Sequence, residues 1–161
     1  MTSTLADPAR TTSVPPKAVF RSVAVAEAVT WVLLLAGMVA ERVLGLGDLG
    51  VALAGPVHGL VFLAFVVAAL LVAVNQRWSP AVSLVVLASS VVPLATVAAD
   101  AWLERSGRLD GGWRARATDA PRARRLPDRV LRWLLARPVV LVGGATLGVV
   151  AVFAALMLRP H

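Results

Sequence analysis

Four long runs of apolar residues dominate the chain, and polar or charged segments separate them. The runs cover residues 19–40, 49–74, 81–99 and 139–158. A helix needs about 20 apolar residues to cross the hydrocarbon core of a bilayer. The runs are continuous rather than alternating, which favours helices over barrel strands. The pattern therefore predicts an all-α polytopic membrane protein with four transmembrane helices, a three-helix core plus an appended fourth helix.

The polar segments divide the chain into four parts. Residues 1–18 are polar and contain three prolines, and we interpret them as a flexible tail. Residues 19–105 hold the predicted three-helix membrane domain, and residues 106–137 form an Arg-rich loop. Residues 138–161 hold the fourth helix and a short tail. The first apolar run is longer than the roughly 7–15 residues of a signal peptide, so we expect it to be retained.

Composition supports the membrane class. Hydrophobic residues make up 58% of the chain and charged residues 16%, whereas soluble domains have roughly 45–50% and about 25%. The chain contains no Cys, which excludes a disulfide scaffold and a Cys-ligated zinc site. A preference for Arg over Lys, together with abundant Ala and Val, is typical of GC-rich coding as in actinobacteria.

The formal net charge of +7 is concentrated in one segment, because residues 104–137 contain ten of the arginines. Basic loops of membrane proteins stay on the cytoplasmic side. The sequence therefore predicts a multi-pass protein of the cell (inner) membrane with the 104–137 loop in the cytoplasm and with both termini outside. The basic excess reflects topology in this reading and does not indicate a nucleic-acid partner.

Part of this loop has the pattern of an amphipathic helix. Four apolar residues between 130 and 135 share one face, and arginines occupy another. This pattern predicts an interfacial helix that contacts anionic lipid through Arg125, Arg129 and Arg132. A solvated basic loop that leads into the fourth helix is the alternative.

Four polar residues lie within or at the ends of the predicted spans: Glu27, His58, Thr96 and Asp100. Such residues usually face a partner or a cavity, because a polar group in hydrocarbon is costly. In an up-and-down bundle, the start of the second span and the end of the third lie at one membrane face. We therefore expect His58 and Asp100 to meet, with Thr96 on the face of Asp100 and Glu27 one or two helical turns away.

This intramembrane polar cluster has two readings. It either fixes helix packing or serves a membrane partner, or it carries protons or cations in a small transporter that uses Glu27 and His58. A pair of Gly-x-x-x-Gly patterns also predicts close helix packing, at Gly55, Gly59, Gly144 and Gly148. A homo-oligomer or a membrane-protein partner stays open alongside the lipid bilayer.

Three segments carry a resemblance to a known family, at residues 20–31, 55–62 and 93–100. They contain Glu27 and the His58-Gly59 pair in the same order as the family. Over roughly residues 19–105, the chain resembles the DUF3817 family of small bacterial integral membrane proteins of unknown function. The resemblance implies a three-span core to which the Arg-rich loop and the fourth helix are an extension, and it implies no activity.

No catalytic motif is present in the sequence. It lacks G-x-S-x-G, H-E-x-x-H and a phosphate-binding loop, and it has only two His residues and no Cys. We therefore expect a non-enzymatic membrane protein with no catalytic residues, no metal site and no cofactor.

Overall fold

The computed structural model describes residues 14–114 and 126–158, and these residues form helices and no strand. The prediction of an all-α fold is confirmed for this part of the chain. In chain order the helices are α1 (Pro16–Arg42), α2 (Leu49–Gln76), α3 (Pro80–Ser89), α4 (Ala95–Arg105), α5 (Leu126–Leu135) and α6 (Pro138–Met157).

Helices α1 and α2 form the long axis of the molecule. They contain 27 and 28 residues and are apolar enough to cross a membrane; at 1.5 Å per residue each is about 40 Å long. A third candidate arises if the bent pair Arg129–Leu135 and Val139–Ala155 counts as one span. By length and composition the described residues therefore contain two or three spans, and the predicted four are not confirmed.

The two long helices approach each other most closely near the turn that joins them. A Cβ atom on Gly37 would lie 2.8 Å from the backbone carbon of Gly50, so only glycine fits at this crossing. The turn itself contains Gly45 and Gly47 with φ of +64° and +81°, a conformation that glycine adopts without steric cost. The sequence analysis missed this crossing.

The third apolar run is not one helix, and the prediction of a continuous helix over 81–99 is wrong. Helix α3 ends at Ser89 and α4 begins at Ala95. Pro93 has no N–H and clashes with a preceding helical turn, and Leu94 has a left-handed φ of 66°. The hydroxyl of Ser90 donates to Leu87 O at 2.7 Å, a local bond of the kind that competes with regular helix.

Helices α3 and α4 form a hairpin in which α4 lies along the first half of α1 and α3 packs on α2. At the break, Trp31 Nε1 of α1 donates to Ser90 O at 3.1 Å. Further along α4, Thr96 contacts Ala24, and Glu104 contacts Lys17. The partners on α1 thus run backwards as α4 runs forwards, so α4 is antiparallel to α1 and returns to the beginning of α1.

Several contacts gather the start of α1, the end of α2 and the end of α4 at one end of the molecule. Trp78 Nε1 donates to Arg108 O at 2.9 Å, and Asn75 Nδ2 donates to Gly112 O at 3.2 Å. Trp113 Nε1 donates to Val14 O at 2.7 Å. We call this end, which contains residues 14–21, 74–80 and 100–114, the basic end.

The basic end corrects the predicted topology. The sequence analysis put the N-terminal side of the first helix and the segment after residue 104 on opposite sides of the membrane. In the structure α4 runs back to the beginning of α1, and Val14 and Trp113 are hydrogen-bonded neighbours. Within the described residues the two segments therefore lie at the same end of the helices and not at opposite ends, as the prediction requires.

The hydrophobic core lies towards the basic end, between the hairpin and the two long helices. Phe20 and Phe65 contact each other with ring centroids 5.7 Å apart, and Phe20 also meets Trp78 edge to face. The buried core residues are Phe20, Ala24, Phe65, Ala69, Val72, Val86, Leu103 and Leu109. Helices α5 and α6 pack on α2 outside this core.

Candidate functional site

All four residues of the predicted polar cluster are buried, but the structure divides them between separate contacts. Glu27 pairs with Thr96, His58 pairs with Thr30, and Asp100 pairs with Arg21. Every one of these pairs joins α1 to another helix. The cluster is therefore a series of links along α1, of which the pair at Asp100 is separate from the other two.

The deepest link joins α1 to α4. Thr96 Oγ1 lies 2.6 Å from Glu27 Oε2 and 3.2 Å from Ala24 O, and the side chains of Glu27 and Thr96 have no exposed surface. A hydroxyl group has one proton to donate. Both acceptor oxygens therefore share this one hydroxyl group. The other carboxyl oxygen, Oε1, has no hydrogen-bond partner among the described residues.

The second link joins α1 to α2. His58 Nδ1 lies 3.1 Å from Thr30 Oγ1, and the Thr30 hydroxyl donates to Glu27 O at 2.9 Å. Because that bond uses the single hydroxyl proton, the geometry favours a His58 tautomer that donates from Nδ1. The imidazole ring also lies against Trp31, with centroids 4.6 Å apart. His58 faces into the bundle towards the first helix.

The third link is a group of ion pairs at the basic end. Arg21 Nε donates to Asp100 Oδ2 at 2.9 Å, and Glu104 accepts from both Arg21 and Lys17. Hydrogen bonds from Lys17 and then from Arg21 lower the pKa of Glu104 below its ordinary value. These pairs fasten the last turns of α4 to the first turns of α1.

The expected contact between His58 and Asp100 is wrong. That contact requires a third span that ends beside the start of the second. The hairpin instead carries Asp100 back to Arg21, five residues into α1, whereas His58 is level with Thr30, near the middle of α1. Thr96 and Asp100 do share a face of α4, as predicted.

Five residues of these links escaped the sequence analysis as members of one site: Lys17, Arg21, Thr30, Trp31 and Glu104. One signal was available for part of the set. Lys17 and Arg21 are four residues apart, as are Asp100 and Glu104, and residues at that spacing share a helix face. Two such pairs of opposite charge indicate two helices in contact.

The predicted glycine seams play little part in packing within the described chain. A Cβ atom on Gly55, Gly144 or Gly148 would meet nothing within 4 Å, so these glycines make no close helix contact within the described chain, and packing through them stays a prediction. Gly59 is the exception. A Cβ atom there would lie 3.3 Å from Phe153 Cε2 of α6.

The Arg-rich segment is described only in part. Arg125 lies outside the described residues. Of the four residues predicted for the apolar face of α5, Leu131 is buried and Val130 is exposed, while Leu134 and Leu135 are half-buried. Arg129 is exposed and Arg132 is half-buried. Contact of these arginines with anionic lipid stays a prediction.

The described residues offer no group of three His, Cys, Asp or Glu side chains that could hold a metal ion. What they contain is a pair of apolar helices long enough to cross a bilayer, a helical hairpin docked on them, and buried polar links. This combination defines a small helical membrane protein.

Comparison with known proteins agrees with that class and names a family. The domain of unknown function DUF3817 matches residues 17–105, more than half of the chain, and the chain belongs to this family. The match begins at the start of α1 and ends at the last residue of α4, as the resemblance over residues 19–105 predicts. Helices α5 and α6 lie beyond it.

A relative in Streptomyces coelicolor, named "Putative membrane protein SCO5905", is 36% identical over 91 residues. The alignment covers 56% of this chain but 11% of the relative, so the chain spans about a tenth of that protein's length. No solved structure matches the chain.

Proposed function

We propose that this protein is a small, non-enzymatic protein of the inner membrane, in which the buried polar links hold the α3–α4 hairpin against α1. The observation that carries this proposal is that each polar side chain of the cluster is used in a contact between helices. Glu27 and Thr96 join α1 to α4, and Thr30 and His58 join α1 to α2. In a low-dielectric setting such contacts fix how helices align along each other.

The hairpin is a re-entrant element in this proposal. Helices α3 and α4 have 10 and 11 residues, about 15 Å each, whereas the hydrocarbon core is about 30 Å thick. Neither helix crosses it. The pair enters from the side of the basic end, reaches the level of Trp31 and returns.

This arrangement gives an orientation. The basic end is cytoplasmic, because basic residues near helix ends accumulate on that side. Among the described residues it contains six basic side chains, whereas the turn between α1 and α2 is flanked only by Arg42, which lies 3.5 Å from Glu41. The N-terminal end of α1 is then cytoplasmic. Helix α6 crosses once more and places the C-terminus outside.

Cysteine accessibility tests the orientation, since the chain has no native Cys. In three separate variants, Arg77→Cys, Gly112→Cys and Leu46→Cys, we expect a membrane-impermeant maleimide to reach Leu46→Cys in intact spheroplasts. The other two variants should react only after the membrane is permeabilised. Labelling of Arg77→Cys and Gly112→Cys on opposite sides of the membrane would show that the third apolar run crosses, and would refute the hairpin.

A proton- or cation-coupled transporter that uses Glu27 and His58 is the alternative function. One observation favours it: Glu27 Oε1 is buried without a hydrogen-bond partner among the described residues, and a buried polar atom of this kind can receive a proton or an ion. Purified protein in liposomes with a pH-sensitive dye inside distinguishes the two functions. The structural role predicts no flux above empty liposomes, whereas a flux that Glu27→Gln abolishes would establish the alternative.

A further inference from the structure

A long apolar cleft separates α2 from α6. Its volume is about 700 Å³. Along α2 it extends from Leu60 to Leu71, a distance of about 16 Å at 1.5 Å per residue. Small side chains on the two facing helices, Ala64 and Ala145, line its middle.

The two ends of the cleft differ. At the end away from the basic end, Phe153 of α6 lies over Gly59 of α2. At the other end the lining includes Val14, Trp113 and the last residue of α5, Leu135. The cleft therefore extends from the contact between Phe153 and Gly59 to the basic end.

The size of the cleft selects the kind of occupant. A methylene group takes about the volume of a water molecule, roughly 30 Å³, so the cleft holds on the order of twenty methylenes. That is the size of a lipid acyl chain.

The charge at the mouth selects the headgroup. Lys17 and Arg21 are offset by Glu104 and Asp100. The remaining charged residues at the basic end and on α5 and its C-terminal side are seven arginines against two aspartates, namely Arg77, Arg105, Arg108, Arg114, Arg129, Arg132 and Arg137 against Asp110 and Asp128. This excess of positive charge complements a lipid phosphate or phosphoglycerol group.

Helix α5 brings part of that charge to the mouth itself. Leu135 lines the cleft, and Arg132 lies three residues before it, one turn away along α5. The segment Arg129–Leu135 meets Val139–Ala155 at 108°. If α6 crosses the bilayer, α5 therefore lies nearly along the membrane surface, at the depth of the headgroups.

We propose that the cleft between α2 and α6 is a binding site for an anionic phospholipid, with an acyl chain between Leu60 and Leu71 and the headgroup beside Arg129 and Arg132. The site is separate from the polar links of α1. Its occupancy is independent of whether those links are structural or take part in transport.

Native mass spectrometry of the full-length protein in detergent tests the proposal, with phosphatidylglycerol and phosphatidylcholine of identical acyl chains as probes. We expect one phosphatidylglycerol to be retained at an at least five-fold lower concentration than phosphatidylcholine. Ala145→Phe fills the cleft and should abolish retention, whereas Ala151→Phe, an identical change at an exposed position of the same helix, should not. Ala64→Leu fills the cleft from α2 and provides a second variant if Ala145→Phe does not fold.

The headgroup contact has its own variants. The double substitution Arg129→Gln and Arg132→Gln should remove the preference for phosphatidylglycerol and leave retention of phosphatidylcholine unchanged, and Arg42→Gln at the opposite end should alter neither. Equal retention of both lipids by the wild-type protein would overturn the proposal. So would retention that survives both cleft-filling substitutions, or a dimer that Ala145→Phe dissociates, because a second copy would then occupy the cleft.

Discussion

Thr96→Val is the sharpest perturbation of the link between α1 and α4. Valine has nearly the shape of threonine but no hydroxyl, so the change removes the 2.6 Å contact with Glu27 and leaves the packing intact. The carboxyl group of Glu27 then remains buried with no partner on α4. Thr96→Ser is the matched control, because it keeps the hydroxyl group and removes only a methyl group.

Two known energies bear on how much Thr96→Val lowers the free energy of unfolding. A buried polar group left without its partner costs about 1–3 kcal/mol, but hydrogen bonds between membrane helices average about 0.6 kcal/mol, with a maximum of about 1.7, because the unfolded state in a membrane also finds partners. The short distance and the lack of exposed surface at Glu27 and Thr96 place this pair near the upper value. We expect Thr96→Val to lower the free energy of unfolding by about 1–2 kcal/mol.

Titration with sodium dodecyl sulfate in mild detergent measures this free energy, with the fluorescence of the five Trp residues as the signal. The double substitution Glu27→Met and Thr96→Val should cost less than the sum of the single changes, because replacing both partners by apolar groups leaves nothing unsatisfied. A loss below about 0.5 kcal/mol for Thr96→Val, or strict additivity in the double variant, would refute the reasoning.

Two further predictions use the same titration. Gly37→Ala should lower the free energy of unfolding by about 1–3 kcal/mol, because the new Cβ would lie 2.8 Å from the backbone of Gly50. The control Gly55→Ala, whose Cβ meets nothing within 4 Å, should be neutral or stabilise the helix. Equal effects of the two substitutions would contradict the close crossing. The ion pairs of Glu104 lower its pKa in the folded state. The stabilisation that Glu104 gives to the folded protein should therefore be fully present above its ordinary pKa of about 4.3, and it should be lost as the pH falls through the folded value. Glu104→Gln should flatten that part of the pH profile, and an unchanged profile would mean that the pairs contribute nothing.

The apolar pattern predicted the helical class and the two long helices, because runs of 20 or more uncharged residues have few other solutions. The apolar pattern failed at the third run, because hydropathy does not show whether a segment continues in one direction or turns back. Residues 81–99 are apolar whether the chain crosses or returns, and Pro93 alone does not distinguish a kink from a turn. A local pattern does not reveal the left-handed backbone at Leu94 or the contact between Trp31 of α1 and Ser90 at the break.

For the polar cluster, too, the sequence predicts one part of the structure and not another. The residues themselves were predictable, because Glu27, His58 and Thr96 stand out in apolar surroundings and are buried. Their partners were not, since partners depend on the direction of α4. Once α4 returns along α1, the spacing of Asp100 and Glu104 matches that of Lys17 and Arg21, and the ion pairs follow.

The hairpin also determines how this family's domain can be combined with other sequences. Residues 17–105 begin and end at the same end of the helix pair, so the two points at which this domain joins the rest of a chain lie side by side. Such a domain can be joined to a longer chain without inverting the topology of anything that follows, as a crossing segment would. The stretch matched in the Streptomyces coelicolor relative corresponds to 11% of its length, and here α5 and α6 follow the domain directly. If α1 and α2 cross the membrane and the hairpin returns, as proposed above, the chain on both sides of the domain lies in one compartment, and the domain can be joined to different neighbours.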